Sequence, residues 1–192
     1  MTNKRVVSKV CILLGCFLLV ASVVATVWWQ WEITSSEKTA KIYTQTIRSL
    51  IPTSQGAVLE EKQNNKMPVL SVQETDFVGI LEIPSYNSEL PVCASWGEIT
   101  KYPCQYSGSI YNGTMQIGIS SQKGQYDFYR EISVGDAVLF TDMQGNCYTY
   151  TVSKLRYEKH ANNDALTKEN ADLTLFIKNV YDFEYLIVYC NT

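Results

Sequence analysis

Few residues of this chain have the chemistry to cut or rejoin a bond near neutral pH. There is one histidine, His160, and there are six cysteines: Cys11, Cys16, Cys93, Cys104, Cys147 and Cys190. A cysteine nucleophile works as the thiolate, which an adjacent imidazole or guanidinium must favour near pH 7. No histidine or arginine cluster lies beside the four cysteines after residue 90, so none is marked as reactive. They form no CxxC, and with a single histidine the set does not read as a zinc site. Buried thiols or disulfides are the better reading, and four cysteines allow three pairings. Cys11 and Cys16 fall in an apolar run and read as small apolar residues. His160 lies in a polar stretch and reads as a solvent-facing loop histidine. Asp127 and Arg130 read as an exposed pair.

The elements that must position these groups are mostly strands. The 192 residues suffice for one ordinary domain and an N-terminal appendage. Apolar residues make up 46%, enough for a buried core, and thirteen tyrosines with many β-branched residues favour strands. Short apolar runs occupy residues 77–83, 89–93, 114–119, 137–141, 147–152, 172–177 and 185–190. Asn112-Gly113 is a strong turn dipeptide, and residues 142–146 (Asp-Met-Gln-Gly-Asn) read as the turn of a hairpin. A short helix is expected between Gln122 and Glu131, and a polar loop with a helical turn after Asn163 over residues 160–170. Many short strands at this spacing predict a mainly β fold, a closed barrel of about eight strands with short helices. The net charge of −3 and pI near 5.2 give no electrostatic case for nucleic acid.

The N-terminus carries a second signal. Lys4, Arg5 and Lys9 precede an apolar run at residues 10–29 that contains no charged residue. About 20 apolar residues cover the roughly 30 Å hydrocarbon core. Trp28, Trp29 and Trp31 stand where an interfacial aromatic belt belongs, and the positive-inside bias puts the N-terminus in the cytoplasm. The expectation is a cytoplasmic tail (residues 1–9), one transmembrane signal anchor (10–31), a juxtamembrane helix and linker (32–75) and an extracytoplasmic barrel (76–192). A cleaved signal peptide ending near Ala25 is the competing reading. Within 32–75, Ile42, Ile47, Leu50 and Ile51 lie at loose helical spacing, Pro52 ends the helix, and residues 53–75 read as a polar spacer. An outer location permits disulfides.

Several motifs of the outer domain occur in a meaningful order. Val78-Gly-Ile-Leu-Glu-Ile-Pro84 is followed by Leu90-Pro-Val92, Pro103-Cys-Gln-Tyr-Ser-Gly-Ser109, Gln116-Ile-Gly-Ile-Ser120, Gly135-Asp136, Phe140-Thr-Asp142, Leu173-Thr-Leu-Phe-Ile-Lys178 and Tyr185-Leu-Ile-Val-Tyr-Cys190. Over residues 76–190 this resembles the sortases, cell-wall transpeptidases of Gram-positive bacteria. Each motif alone is weak, and their order and spacing together are strong. In that family a thiolate attacks the threonine carbonyl of a sorting signal, a histidine protonates the leaving amine and an arginine stabilises the oxyanion. The resemblance places the histidine at Ser120, the cysteine at Lys178 and the arginine at Tyr185, so all three groups are replaced.

The resemblance, together with the N-terminal run, leads to the expectation of a membrane-anchored, cell-surface pseudoenzyme. A lysine ammonium has no lone pair to attack with, serine is no acid–base at neutral pH, and tyrosine brings no positive charge to an oxyanion. The expected role is non-catalytic binding of a sorting-signal peptide, a surface protein or an active sortase, without cofactor or metal. A second expectation is a hydrolase or transpeptidase with altered chemistry that uses Ser120 and Lys178 as a dyad, and a third is a decaying relative that only folds. Tyr126, Tyr181, Phe183 and Tyr185 fall in or beside loops that border the sortase groove and are candidates for binding, with Phe128 and Tyr129 in the same aromatic set. In one sortase subgroup that the chain resembles, the positions of Cys104 and Cys190 imply a disulfide. Cys93–Cys147 is a weaker pairing.

Overall fold

The computed structural model describes residues 2–51, 66–99, 101–120, 128, 131–178 and 184–192. The chain divides into two compact units, residues 1–36 and 37–192.

Helix α1 (Thr2–Leu50) runs through both. In the first unit it exposes apolar side chains: Phe17, Leu18, Leu19, Val23, Val24 and Trp28 are each at least 60% exposed. The Ser22 hydroxyl donates to the Leu19 carbonyl and the Thr26 hydroxyl to that of Ser22, both at 2.8 Å, so these polar groups are satisfied inside the helix. Among the described residues no helix is long and apolar enough to cross a membrane. The side chains described in the apolar run are those of Ile12 and residues 14–28.

In the second unit, of the apolar positions expected on one helical face, Ile47 is fully buried while Ile42 and Leu50 stay exposed. Ile47 and Tyr43 pack with Phe77, Ile80, Tyr102, Cys93 and Cys104 on the outside of the barrel. Arg48 pairs with Glu82 (2.8 Å) and Glu89 (2.6 Å) and so ties the helix to residues of the barrel wall.

The strands are β1 (Leu70–Val72), β2 (Thr75–Ile83), β3 (Ser88–Cys93), β4 (Cys104–Ser107), β5 (Met115–Ser120), β6 (Ala137–Asp142), β7 (Cys147–Glu158), β8 (Leu173–Lys178) and β9 (Tyr185–Asn191). Their order is β1-β2-β3-β4-β5-β8-β9-β7-β6, and β6 returns to pair with β2. Eight strands therefore close a barrel, with β1 flanking β2. The expectation of a linker up to residue 75 needs correction. Met67 is buried in the barrel core and β1 pairs with β2, so ordered packing begins before residue 76. β7 also runs six residues past the expected end at Val152, to Glu158.

The barrel interior is filled by Val78, Leu81, Val92, Ile117, Ile119, Phe140, Leu175, Ile177, Leu186 and Val188, all nearly inaccessible. Residues alternate between the faces of a strand, so the neighbours of these side chains point outward. On that side helix α2 (Asn163–Thr167) lays Ala165 and Leu166 over Phe176, Ile187 and Tyr189. Asn162 caps this helix by accepting from the Ala165 N–H at 2.9 Å, as the helical turn expected after Asn163 requires. The expected hairpin joins β6 and β7. Its turn closes on buried Asp142, which accepts from the Gln144 and Asn146 backbone N–H groups at 2.9 Å and from the Asn146 side-chain amide at 3.0 Å.

Candidate functional site

Three strands bring Ser120, Lys178 and Tyr185, the positions singled out by the motif resemblance, into one line. In the parallel pair β5–β8, Ser120 stands opposite Lys178, and in the antiparallel pair β8–β9, Lys178 stands opposite Tyr185. The row continues onto β7, where Tyr185 faces Glu158. Adjacent strands lie about 4.8 Å apart, so each group is one strand spacing from the next. Ile119, Ile177 and Leu186 belong to the interior cluster, so the row faces outward. Ser120, Tyr185 and Glu158 are partly buried and Lys178 is exposed. Glu158 pairs with Arg156 on its own strand. Tyr185 packs on the cluster under α2.

Two residues below the row the outer face is covered by aromatic rings. Trp96, on the 3-10 turn Trp96–Glu98 after β3, stacks on Phe176 of β8 at 5.7 Å between ring centroids. Tyr106 of β4 meets Trp96 edge-on at 5.1 Å and Phe176 at 5.4 Å. The floor beneath is Gly118, opposite Phe176 in the ladder. A Cβ there would lie 2.5 Å from two Trp96 ring carbons. Trp96 and Tyr106 keep 42% and 47% of their surface exposed, so the cluster is a half-open surface beside Ser120 and Lys178. The sequence reading missed both residues. The available signal was Gly118 itself, since a glycine inside an apolar strand marks close approach by another group.

Of the expected groove residues, Tyr185 is placed in the row. Tyr126, Tyr181 and Phe183 lie outside the described residues, as do Asp127, Tyr129 and Arg130. Most of the helix expected at 122–131 lies there too. Phe128 is described and buried in the barrel core, and its carbonyl accepts from the Ile132 N–H at 2.9 Å.

The cysteines are apart from the row. The implied Cys104–Cys190 bridge is absent, and both are thiols. They occupy opposite faces of the sheet: Cys104 joins the outer cluster with Phe77 and Ile80, and Cys190 lies in the interior. Burial pushes the Cys190 thiol up to about 12, which makes it inert as a nucleophile. Cys93 and Cys147 are not bridged either, one buried in the outer cluster and the other exposed at the start of β7. His160 is exposed and lines a groove of about 790 Å³ with Arg156, Glu158, Asp164, Lys168 and Glu184, with no cysteine in its walls. Among the described residues no group of three histidine, cysteine or acidic side chains is placed to hold a metal ion.

No family model and no curated protein sequence matches the chain. Solved structures do match. A sortase D5 transpeptidase from Clostridium perfringens aligns with a TM-score of 0.55 over 82% of this chain and 98% of its own, at 11% identity. The chain has the sortase fold. Sortase C from Streptococcus pneumoniae aligns at 0.54, over 80% of this chain and 95% of its own, with 17% identity. Sortase A from Corynebacterium diphtheriae aligns at 0.52, over 84% and 86%, with 16% identity. The sortase-like closed barrel expected from motif order is therefore the observed architecture. At these identities the likeness speaks to the fold, and the chemistry must be argued from the residues themselves.

Proposed function

We propose that the chain is a membrane-anchored protein of the cell surface that uses a sortase fold to hold a peptide or protein partner without cutting it. The row Ser120–Lys178–Tyr185 carries the reading. The motif resemblance assigns an imidazole, a thiolate and a guanidinium to these three positions, and their side-by-side register is what such a triad would need. In their place stand a hydroxyl, an ammonium and a phenol. That set offers hydrogen-bond donors and one positive charge, which suit recognition, but no soft nucleophile and no neutral-pH proton shuttle.

A groove without a nucleophile keeps its strand edges and pockets, which is what capture of an extended peptide uses. The solved relatives are described as a transpeptidase and as an enzyme with pilin substrate specificity, so a sorting-signal peptide or a pilin-like surface protein is the natural class of ligand. An active sortase is the other partner class. Anchoring through residues 10–31 is supported by the uncharged run in the sequence, by the exposed apolar side chains of α1 and by the internal satisfaction of Ser22 and Thr26.

The test uses the full chain in detergent with a sorting-signal peptide and an amine acceptor. Saturable binding without cleavage or transfer is expected, and turnover would refute the reading. Adjacent Ser120 and Lys178 favour one second reading, a serine hydrolase with a lysine base. Such a base must sit in a dry pocket, and Lys178 lies on the exposed face. A serine-directed phosphonate probe that labels the chain but not Ser120→Ala would establish that enzyme instead.

A further inference from the structure

β3 and β4 run parallel and meet at a single register pair, Cys93 opposite Cys104. Among the described residues every other pair of neighbouring strands is joined by three or more register pairs. This is the narrowest seam of the barrel, and two thiols stand on it. Both side chains lie in the same apolar cluster with Phe77, Ile80 and Tyr102, and both are 0% exposed. The Cys93 N–H donates to the Pro103 carbonyl at 2.8 Å, which fixes the two backbones at the ladder position. The Cys104 thiol points to the Tyr102 carbonyl at 3.4 Å. Register partners on neighbouring strands are about 4.8 Å apart, inside the Cα–Cα range of about 4.4–6.8 Å that a disulfide bridges. Partners in register also project to the same side, as shared membership of one cluster requires.

We infer that Cys93 and Cys104 form a disulfide that closes the β3–β4 seam and clasps the loop carrying Trp96. The step is a dithiol oxidation by a small-molecule or protein disulfide. One thiolate attacks the oxidant's sulfur and releases its first thiol. The second thiolate then attacks the mixed disulfide and releases the other. Two protons and two electrons thus pass from Cys93 and Cys104 to the oxidant, and one S–S bond is exchanged for another. Full burial of both sulfurs sets the order of events. The bond forms while the chain folds, before the cluster closes, and afterwards it is shielded from reductant. The clasped loop holds the 3-10 turn Trp96–Glu98, so the bond shortens the tether of the ring that lies over Gly118 beside the Ser120–Lys178 row.

The test is a peptide map of the full chain. The reduced chain is unfolded in urea and refolded in detergent with a mixture of oxidised and reduced glutathione. Remaining thiols are blocked with N-ethylmaleimide, and the chain is cut with trypsin without reduction. Lys101 lies between the two cysteines, so the bond leaves two tryptic peptides joined until reductant separates them. A linked Cys93–Cys104 pair as the main product is expected. Blocked, separate peptides, or a main product joining either residue to Cys147 or Cys190, would overturn the inference. As a second readout, chain refolded from urea with reductant present should melt about 10 °C below chain refolded in the glutathione mixture, as expected for a loop of this length in a domain of this size. No such difference should occur in Cys93→Ala, and an equal difference in both chains would also overturn it. The map needs no substitution, so it decides the matter even where the variant does not fold.

Discussion

Replacing Gly118 with alanine tests whether the aromatic cover is placed as described. The added Cβ would stand 2.5 Å from two Trp96 ring carbons and 2.9 Å from the Phe176 ring, where carbon contacts need about 3.5–4.0 Å. The strand cannot yield, because Gly118 is paired to Cys104 on one side and to Phe176 on the other. Trp96 can, because it sits on a surface turn and is 42% exposed. Its displacement breaks two ring contacts, with Phe176 and with Tyr106. At about 0.5–1.5 kcal/mol each these amount to about 2 kcal/mol. Alanine in place of a strand glycine returns roughly 0.5–1 kcal/mol. A net loss of about 1–1.5 kcal/mol remains, a fall in Tm of roughly 3–6 °C for a unit of this size. In a chain with Trp28, Trp29 and Trp31 changed to phenylalanine, the remaining tryptophan emission comes from Trp96 alone. Its quenching by acrylamide should rise in Gly118→Ala. The same substitution made in Trp96→Ala should cost much less, because of the three close contacts only the one with the Phe176 ring at 2.9 Å remains. Unchanged quenching and an unchanged Tm would mean that the ring does not lie on the strand, and the account of the groove would fail.

Three further outcomes follow from other parts of the barrel. Asp142→Ala should destabilise by about 3 kcal/mol in urea unfolding, because it orphans two backbone N–H groups and the Asn146 amide around a fully buried position. Asp142→Asn should cost less. The Asp136 carboxyl is held below its ordinary value, first by the Ser133 backbone N–H at 2.8 Å and then by the Tyr86 and Ser85 hydroxyls. Such a group favours the fold above the ordinary carboxylate range and loses that contribution as pH falls through its lowered value. Asp136→Asn should therefore flatten the acid limb of a stability–pH curve and leave its neutral part lower, and an unchanged acid limb would count against the contact. In native chain, maleimide should modify exposed Cys147 quickly and Cys190 only on unfolding, since burial pushes the latter up to about 12.

The strands that carry the row were legible because their information is local. β8 and β9 are continuous apolar runs, as strands buried on both faces should be, and the hairpin at Asp142 and the turn at Asn162 announce themselves by residue type. Other features were hidden for physical reasons. β1 is three residues long and lies next to polar sequence, too short for any period to show. The second half of β7 carries Lys154, Arg156 and Glu158 on one side, and a register shift at Val152/Lys154 breaks the alternation that would have extended the strand. The Cys104–Cys190 pairing came from the resemblance to one sortase subgroup, and motif positions do not carry the face of the sheet on which each of this chain's cysteines falls. The position of Trp96 over Gly118 joins a loop to a strand across the barrel, and only the glycine hinted at it.

Motif order was enough to single out Ser120, Lys178 and Tyr185, but only the ladder register shows that these three residues fall on adjacent strands in one line. Independent decay at three places need not leave a coherent surface. Here the line retains a hydroxyl, an ammonium and a phenol at one strand spacing, ends beside Glu158 and the groove around His160, and is bordered by the Trp96–Tyr106–Phe176 cluster. Half-exposed aromatics next to a fixed positive charge are the ingredients of a recognition surface. The floor at Gly118 seats the ring of Trp96 from the chain itself, and that ring and Tyr106 keep 42% and 47% of their surface open beside the row, which is what supports the proposed binding over decay.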